Sequence, residues 1–205
     1  MSKRLFDFFS ALFGIILLSP LLFLIAIWIK IDSRGSVFFV QKRVGLFGAI
    51  INVYKYRTMV ENAEAKGLKI TVGRDPRITK SGHFLRKYKL DELAQLFNVL
   101  IGNMSLVGPR PEVQEYIDCY PNEIRKKVLS VKPGITDLAS IEFKDENLLL
   151  EGAKDPKQTY IETILPIKQN YYIQYVENKS FFIDIKIIVK TLFSLTNIGT
   201  KSKKL

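Results

Sequence analysis

The sequence predicts a mostly helical α/β protein, in which a compact domain with a small β element is attached to an N-terminal membrane helix. Three observations lead to this prediction. The segment Leu5–Ile31 is almost entirely apolar, apolar residues at helical spacing recur through the rest of the chain, and short strand patterns lie between Val37 and Tyr54. Helical patterns clearly outnumber strand patterns, which sets the fold class.

The N-terminal apolar segment is long enough to enter a bilayer. As one straight helix, Leu5–Ile31 would extend roughly 40 Å, which exceeds the thickness of the hydrocarbon core. Pro20 removes a backbone donor and predicts a break or kink, after which each half would be too short to cross alone. The hydroxyl of Ser19 is a candidate partner for the backbone groups that such a break would free.

Basic residues flank this segment on both sides. They are Lys3 and Arg4 before it, and Lys30, Arg34, Lys42 and Arg43 after it. Because positive charge marks the cytoplasmic side, a helix that dips into the bilayer and returns at Ser19–Pro20 would explain both flanks. The sequence therefore predicts a re-entrant helix over residues 1–33, a cytoplasmic domain over 34–197 that ends in an interfacial helix, and a basic tail over 198–205. A kinked spanning helix remains an alternative.

Charge and composition limit the partners and the chemistry. The net charge of +11 indicates an anionic partner, which could be a nucleic acid, a phosphate-bearing substrate or an anionic lipid surface. One cysteine and one histidine exclude metal sites rich in these residues, and no glycine-rich phosphate loop of the GxxxxGK[ST] or GxGxxG kind occurs. Cys119 is expected to be an inert, at least half-buried thiol, and His83 a structural or surface group.

Several short elements are predicted after the apolar segment. Two are strands, at Val37–Val40 and Ile50–Tyr54. Four are helices, at Glu61–Lys66, at Ser81–Tyr88 with Ser81 as its cap, at Asp91–Leu100 ended by Gly102, and at Pro121–Leu129. A mostly helical stretch, Asp155–Val176, is kinked at Pro166, and a last helix carries the apolar stripe Phe182, Ile185, Val189 and Leu192.

Two adjacent carboxylates, Asp91 and Glu92, stand at the start of a predicted helix. Acidic residues there suit the helix dipole and cap free N–H groups, which is one explanation. A carboxylate can also act as a nucleophile that forms a covalent intermediate, with Arg86 and a metal ion neutralising phosphate oxygens. Mg²⁺ prefers one or two carboxylates together with substrate phosphates, so Glu92 is its candidate ligand. Both explanations are open at this stage.

Further cations are candidate phosphate ligands. Arg110 lies between two prolines, and a guanidinium held in a stiff turn suits bidentate phosphate binding. The alternative for Arg110 is an ion pair with Glu112. Lys55 and Arg57 alternate with tyrosines and would share one face of a strand, which is either a binding face or a solvated one.

A series of motifs in fixed order carries a family resemblance. The motifs are Ser19-Pro20; Gln41, Arg43 and Gly45; Tyr54-Lys55-Tyr56-Arg57-Thr58-Met59; Leu85-Arg86; Leu90-Asp91-Glu92-Leu93; Gln95-Leu96-Phe97-Asn98-Val99-Leu100; Gly102-Asn103-Met104-Ser105-Leu106-Val107-Gly108-Pro109-Arg110-Pro111; and Lys132-Pro133-Gly134-Ile135-Thr136. Together they closely resemble the bacterial sugar transferases, also called monotopic phosphoglycosyl transferases. The resemblance covers about residues 3 to 193.

The resemblance implies a two-step reaction. Asp91 would attack the β-phosphate of a UDP-sugar and release UMP, and polyprenol (undecaprenyl) phosphate would then accept the phosphosugar from the covalent intermediate. It implies that Glu92 binds Mg²⁺, that Arg110 holds phosphate and that the N-terminal helix is re-entrant. The enzyme would then work on the cytoplasmic face of the bacterial inner membrane, at the first membrane step of a surface glycan or glycoconjugate pathway.

The sequence departs from the family pattern in places. After Thr136, where many members continue G-W-A-Q-V-N-G-R, it reads Asp137-Leu138-Ala139-Ser140-Ile141-Glu142-Phe143-Lys144. Tyr172 replaces a common acid, and Ala94 a common proline. The identity of the sugar therefore does not carry over from the resemblance.

Two other classes of function are alternatives to an enzyme. A non-enzymatic basic module that binds a membrane surface would explain the charge and the anchor, but it gives no reason for Asp91 and Glu92. A nucleic-acid binder would need aromatic platforms on a basic face, for which Tyr54–Arg57 is the only hint. The apolar N-terminus speaks against a nucleic-acid partner.

Overall fold

The computed structural model of the chain describes residues 2–63, 73, 75–144 and 146–196. These residues form two compact units. The described residues of Met1–Gln41 and Asn52–Gly102 make up the first unit, and those of Lys42–Ile51 and Asn103–Leu205 the second.

The first unit contains most of the N-terminal half. Its helices are α1 (Ser2–Asp32), α2 (Lys80–Lys87), a 3₁₀ helix (Leu90–Ala94) and α3 (Gln95–Ile101). Strands β1 (Phe38–Val44) and β2 (Ile50–Tyr56) form a two-stranded sheet joined by a 3₁₀ turn at Leu46–Gly48. The turn and the strand ends next to it, Lys42–Ile51, are assigned to the second unit.

The second unit is helical around one small sheet. Strands β3 (Ser105–Val107) and β4 (Gly134–Thr136) pair in parallel, with Ser105 opposite Gly134 and Val107 opposite Thr136. The helices are α4 (Gln114–Ile117), α5 (Asn122–Val128), α6 (Leu138–Glu142), α7 (Glu146–Leu149), α8 (Pro156–Thr159), a π-helical turn (Tyr160–Ile164), α9 (Leu165–Asn178) and α10 (Phe181–Thr196). The described part of the chain is thus mostly helical with small sheets, as predicted.

Helix α1 passes through Pro20 as a single helix. Pro20 has no N–H, so the carbonyl of Ile16, four residues earlier, loses its helical donor. The Ser19 hydroxyl donates to that carbonyl at 2.8 Å. The predicted role of Ser19 is therefore confirmed. The helix runs through Ser19–Pro20 without the predicted break, and a kink there stays a prediction.

One face of α1 belongs to the core of the first unit. Leu22, Ile25 and Ile29 are buried in a cluster with Tyr56 and Leu85. Large apolar side chains on the rest of the helix are exposed, among them Phe9, Phe13, Ile16, Leu17, Phe23, Leu24 and Ile31. By length and composition Lys3–Asp32 could cross a membrane. The re-entrant topology stays a prediction.

The start of α1 is bonded to the end of α3. The Arg4 guanidinium donates to the carbonyls of Val99 at 2.6 Å and Leu100 at 2.8 Å, which have no donor within their own helix. Gly102 ends α3, as predicted, in the left-handed conformation with φ of 100°. The backbone conformation favours glycine here, and a Cβ at this position would also displace the Arg4 guanidinium, which would lie 2.8 Å away.

The end of α1 is bonded to the start of α2. The Asp32 carboxylate accepts from the Ser81 backbone N–H at 2.9 Å and from the Ser81 hydroxyl at 2.8 Å. Thr79 is the N-cap residue of α2, since its hydroxyl accepts from Gly82 N–H at 3.0 Å. The prediction that Ser81 caps this helix is wrong, because Ser81 already lies inside it and bonds to α1.

Strand β2 is bonded to α3 by one side chain. Asn98, fully buried in α3, accepts from Tyr54 N–H at 2.9 Å and donates to the carbonyl of Asn52 at 2.6 Å. The amide therefore occupies the hydrogen-bonding position that a neighbouring strand would take. These two bonds fix β2 relative to the helix that follows Asp91.

The two strands of the second unit approach each other closely at their ends. A Cβ on Gly134 would lie 2.1 Å from the Gly108 nitrogen, so only glycine fits. Behind this sheet, Val107, Tyr175 and Ile187 form a buried cluster. The Tyr175 hydroxyl lies 3.0 Å from the Val107 carbonyl oxygen. Helices α9 and α10 are thereby packed onto β3.

Some predicted elements differ in detail. Asp91–Leu100 divides into the 3₁₀ helix and α3, and the stretch around Pro166 consists of a π-helical turn followed by α9, with Pro166 in its first turn. In α10, Phe182, Val189 and Leu192 are exposed while Ile187 is buried. Residues 64–66 of the predicted helix Glu61–Lys66 and the predicted tail 198–205 lie outside the described residues. The interfacial location of α10 stays a prediction.

We predict that Asn98→Leu destabilises the protein by about 1–3 kcal/mol, because it leaves the part-buried Tyr54 N–H and the Asn52 carbonyl without the amide that bonds them. Thermal or denaturant unfolding in detergent would measure the loss. The matched control is Asn122→Leu at an exposed position, which should change stability by less than about 0.5 kcal/mol. Equal stability of the two variants would contradict the role given to the Asn98 amide.

Candidate active site

Asp91 lies in the short 3₁₀ helix that follows α2. The chain turns between them at Lys89, whose φ of 55° is in the left-handed region that non-glycine residues seldom adopt. The Lys89 backbone N–H donates to the Arg86 carbonyl at 3.2 Å, and its carbonyl accepts from Glu92 N–H at 3.3 Å. Backbone outliers of this kind concentrate at functional sites, where they cost about 1–3 kcal/mol.

The Asp91 carboxylate is buried and incompletely bonded. The residue is 8% exposed, and its Oδ1 atom has no hydrogen-bond partner among the described residues. The N-cap residue of the 3₁₀ helix is Lys89, and no side chain makes a cap hydrogen bond there. Helix capping, the simpler explanation for an acid at this position, therefore does not account for Asp91.

Glu92 is paired with a lysine from β2. Its Oε1 lies 3.1 Å from the Lys55 ammonium, and both side chains are largely buried. The two bonds from Asn98 to β2 hold the strand next to this part of the chain. The structure thus brings together Lys55 and Glu92, two of the predicted site residues that are 37 positions apart.

Some of the groups around Asp91 raise the pKa of its carboxyl and others lower it. Burial raises the pKa of the Asp91 carboxyl, and the neighbouring Glu92 raises this pKa further. Lys55, Lys89 and Arg86 lower it. The Arg86 side chain is held by a bond from its Nε to the Thr58 hydroxyl at 2.8 Å. The predicted residues Asp91, Glu92, Lys55 and Arg86 therefore form one electrostatic group.

Arg57 makes different contacts. Its guanidinium donates to the carbonyl of Ser33 at 2.8 Å and to that of Arg34, immediately after α1. Arg57 is only 6% exposed. These bonds hold the end of α1 near β2, so the structure gives Arg57 a structural function, and phosphate binding by Arg57 stays a prediction.

Arg110 lies in the second unit, in the turn that follows β3. Gly108 N–H donates to the Thr136 carbonyl at 3.1 Å, and Gly134 N–H donates to the Pro109 carbonyl at 3.0 Å, so β4 and the loop before it hold this turn. The stiff turn predicted for Arg110 is present, and phosphate binding by Arg110 stays a prediction.

Glu112, the alternative partner for Arg110, is buried among several positive charges. The Tyr160 hydroxyl donates to it at 2.8 Å, and Lys168 and Arg43 lie 3.4 Å and 3.5 Å from its oxygens. Burial raises its pKa, but Lys168, Arg43, the Tyr160 hydroxyl and Arg110 together hold the pKa of Glu112 below its usual range. Glu112 is therefore shared among several groups and is not a simple pair with Arg110.

Sequence reasoning missed several residues that shape these sites. Arg4 was read only as a basic flank, and neither Asn98 nor Lys168 was assigned a role, although Asn98 stands within the longest motif. Asp137, noted only as a departure, caps α6 by accepting from Ser140 N–H at 3.0 Å. Cys119 is exposed and not half-buried, so that expectation was wrong.

The carboxylates at this site suit a hard cation. Among the described residues no group of three or more His, Cys, Asp or Glu side chains could hold a metal alone. Asp91 and Glu92 offer adjacent carboxylate oxygens, one of them buried without a partner. Mg²⁺ usually takes only one or two carboxylates and completes its coordination with phosphates and water. The residues present therefore fit Mg²⁺.

Comparison with known proteins identifies the family. A profile described as "Bacterial sugar transferase" matches residues 1–197. An Aeromonas hydrophila protein named UDP-N-acetylgalactosamine-undecaprenyl-phosphate N-acetylgalactosaminephosphotransferase is 37% identical over 97% of the chain and 45% of its own length. A Klebsiella pneumoniae protein named UDP-glucose:undecaprenyl-phosphate glucose-1-phosphate transferase is 40% identical over 93% of the chain and 39% of its own length.

The chain thus spans less than half the length of these two relatives. It covers 94% of a Rhizobium leguminosarum protein named Exopolysaccharide production protein PSS, with 36% identity over 94% of the chain. The match along almost the whole chain, together with the paired carboxylates at Asp91 and Glu92, places this protein in the bacterial sugar transferase family.

Proposed function

We propose that the chain is a phosphoglycosyl transferase that moves a phosphosugar from a UDP-sugar to polyprenol (undecaprenyl) phosphate through a covalent intermediate on Asp91. The observation that carries this proposal is the buried Asp91 carboxylate, whose Oδ1 has no hydrogen-bond partner among the described residues. An unpartnered buried carboxylate is costly, and such costs are characteristic of sites selected for chemistry.

In the first step, a carboxylate oxygen of Asp91 attacks the β-phosphorus of the UDP-sugar. The bond from this phosphorus to the bridging oxygen breaks, and UMP leaves with the electron pair. The product is a mixed anhydride between the Asp91 carboxyl and the sugar phosphate. Arg86 and Lys55 are placed to offset the negative charge of carboxylates and phosphates.

In the second step, a phosphate oxygen of polyprenol phosphate attacks the same phosphorus. The bond between phosphorus and the Asp91 oxygen breaks, which restores the carboxylate and yields a polyprenyl-diphosphate sugar. In this proposal Arg110 binds substrate phosphate from the turn after β3, and Arg57 contributes positive potential in addition to its bonds at the end of α1.

Glu92 is the residue that would hold Mg²⁺, together with substrate phosphates and water. The ion would supply positive charge that neutralises phosphate oxygens. Lys55 keeps the Glu92 carboxylate in a fixed orientation, since its ammonium lies 3.1 Å from Oε1.

The lipid acceptor requires a membrane location. We place the chain at the cytoplasmic face of the bacterial inner membrane, with α1 as a re-entrant anchor and the exposed Phe182, Leu192 and Phe193 of α10 against lipid. The net charge of +11 suits an anionic bilayer surface. The names of the relatives support undecaprenyl phosphate as the acceptor and differ in the sugar, so UDP-glucose and UDP-N-acetylgalactosamine are the first donors to test.

We predict a covalent adduct on Asp91. After incubation with Mg²⁺ and either UDP-sugar, without lipid acceptor, mass spectrometry of the full chain should detect a mass increase equal to one phosphosugar, on the peptide that contains Asp91. Asp91→Asn should form no adduct and should release no UMP when polyprenol phosphate is added.

The matched control is Asp118→Asn at an exposed position, which should form the adduct as the unmodified chain does. UMP release that survives in Asp91→Asn would exclude Asp91 as the nucleophile. Membrane binding without UMP release from any UDP-sugar would favour the non-enzymatic membrane-surface module.

We also predict a shifted pH dependence. Because the pKa of Asp91 is raised, kcat/KM should increase with pH through a range above the ordinary carboxyl value. Lys89→Gln removes a cation that lowers this pKa, so the acidic limb should move to higher pH. The exposed Lys126→Gln serves as the control, and an identical limb in both variants would contradict the assignment.

A third prediction concerns stability. A carboxyl with a raised folded-state pKa destabilises the folded protein once pH exceeds that pKa, because the ionised form is better solvated in the unfolded chain. Without Mg²⁺ and near neutral pH, Asp91→Asn should therefore be no less stable than the unmodified chain, and its free energy of unfolding should be higher by up to about 1 kcal/mol. The difference should shrink as pH falls and Asp91 takes up a proton. A marked loss of stability at neutral pH would indicate a structural role instead.

A further inference from the structure

A buried ion cluster lies behind the turn that carries Arg110. Lys168 in α9 and Glu112 are 4% and 5% exposed at their side chains. The Lys168 ammonium lies 3.4 Å from Glu112 Oε1, 3.0 Å from Glu146 Oε2 and 3.0 Å from the Tyr160 hydroxyl oxygen. The Tyr160 hydroxyl donates to Glu112 Oε1 at 2.8 Å.

A buried lysine of this kind is retained only when its charge is well compensated. Burial lowers the pKa of Lys168, but Glu146, the Tyr172 hydroxyl and Glu112 outweigh it and hold this pKa well above the ordinary value. Lys168 therefore stays positively charged, and Glu112 opposite it stays negatively charged.

Glu112 is directly connected to the Arg110 turn. It follows Arg110 by two residues, and its backbone carbonyl accepts from Val44 N–H at 2.9 Å. The Arg43 guanidinium donates to the Pro111 carbonyl at 3.2 Å and lies 3.5 Å from Glu112 Oε2. One guanidinium thus joins the Glu112 carboxylate to the backbone next to Arg110.

We propose that Lys168 is a positioning residue for the substrate-phosphate site: it neutralises the buried Glu112 and thereby holds the turn that presents Arg110. This inference rests on the proposed function, in which Arg110 binds phosphate. In this proposal Lys168 itself does not contact the substrate.

The reason is a competition for the Glu112 carboxylate. Arg110 is close enough to contribute to the lowered pKa of Glu112, although Lys168 and Arg43 contribute more. Without Lys168, the buried charge of Glu112 would have to be balanced mainly by Arg43 and Arg110. Both guanidinium groups would then be drawn toward Glu112, away from the backbone bond at Pro111 and from bound phosphate.

The test measures the KM for the UDP-sugar in full-length variants. The assay is in detergent with Mg²⁺ and saturating polyprenol phosphate, and the UDP-sugar is whichever of UDP-glucose or UDP-N-acetylgalactosamine is turned over. Lys168→Met should raise KM by about tenfold with a smaller change in kcat, within the range of coupling between contacting groups. Arg110→Gln, measured in parallel, should raise KM by at least as much. Tyr160→Phe removes one bond to Glu112 without changing a charge and should raise KM by about threefold.

Rescue separates positioning from general stability. In Lys168→Met/Glu112→Gln the uncompensated charge is gone, so KM should return to within about twofold of the unmodified chain. Lys168→Met/Glu146→Gln is the matched control, which should keep the raised KM because Glu112 stays uncompensated. The double variant with Glu112→Gln is also the informative protein if Lys168→Met alone does not fold.

Three outcomes would overturn the inference: an unchanged KM in Lys168→Met, a raised KM that Glu112→Gln does not rescue, or equal rescue by Glu146→Gln. If Arg110→Gln also leaves KM unchanged, the phosphate-binding role of Arg110 in the proposed function fails as well. A raised KM in Arg110→Gln alone would preserve that role and reject only the positioning by Lys168.

Discussion

The geometry of the first unit depends on the side-chain amide of Asn98, which makes the hydrogen bonds to β2 that a neighbouring strand would otherwise make. Its two hydrogen bonds give β2 a fixed register against α3, and Lys55 follows directly after the bonded Tyr54. That register places the Lys55 ammonium on Glu92. An amide suits this position because it offers a donor and an acceptor at the spacing of a peptide group. A carboxylate or an apolar side chain would leave at least one of the two backbone groups of β2 without this partner.

The two units treat buried charge in opposite ways. Glu112 is surrounded by compensating groups, so its carboxylate is stable as an anion. Asp91 has one oxygen with no hydrogen-bond partner in the described part of the chain, and burial together with Glu92 disfavours its ionised form. A carboxylate that is under-solvated before substrate arrives has less solvation to lose on attack. The contrast separates a compensated carboxylate, Glu112, from an under-compensated one, Asp91, which is the nucleophile in our proposal.

Local sequence reasoning succeeded where the relevant partner is close in sequence or implied by backbone chemistry. Gly102 ends α3 and Ser19 bonds the carbonyl freed by Pro20, since both follow from hydrogen bonds lost within one helix. It failed where the partner is distant. The contact between Lys168 and Glu112 joins residues 56 positions apart, and Arg57, which shares its motif with Lys55, bonds to the end of α1. The alternation of residue types along a strand cannot reveal such partners, because it shows which side chains share a face of the strand but not which residues pack against that face.

The bonds at the two ends of α1 have a practical consequence for producing this protein. Membrane helices are often removed to obtain a water-soluble catalytic fragment, on the assumption that an anchor is separable from what it anchors. Here the deletion would take away Arg4 from the end of α3 and Asp32 from the start of α2, and would uncover Leu85 and Tyr56. A truncated fragment would lack part of its own core. A soluble preparation therefore has to keep α1. In our proposal lipid surrounds this helix, and detergent, nanodiscs or polar substitutions on its exposed face would replace that lipid.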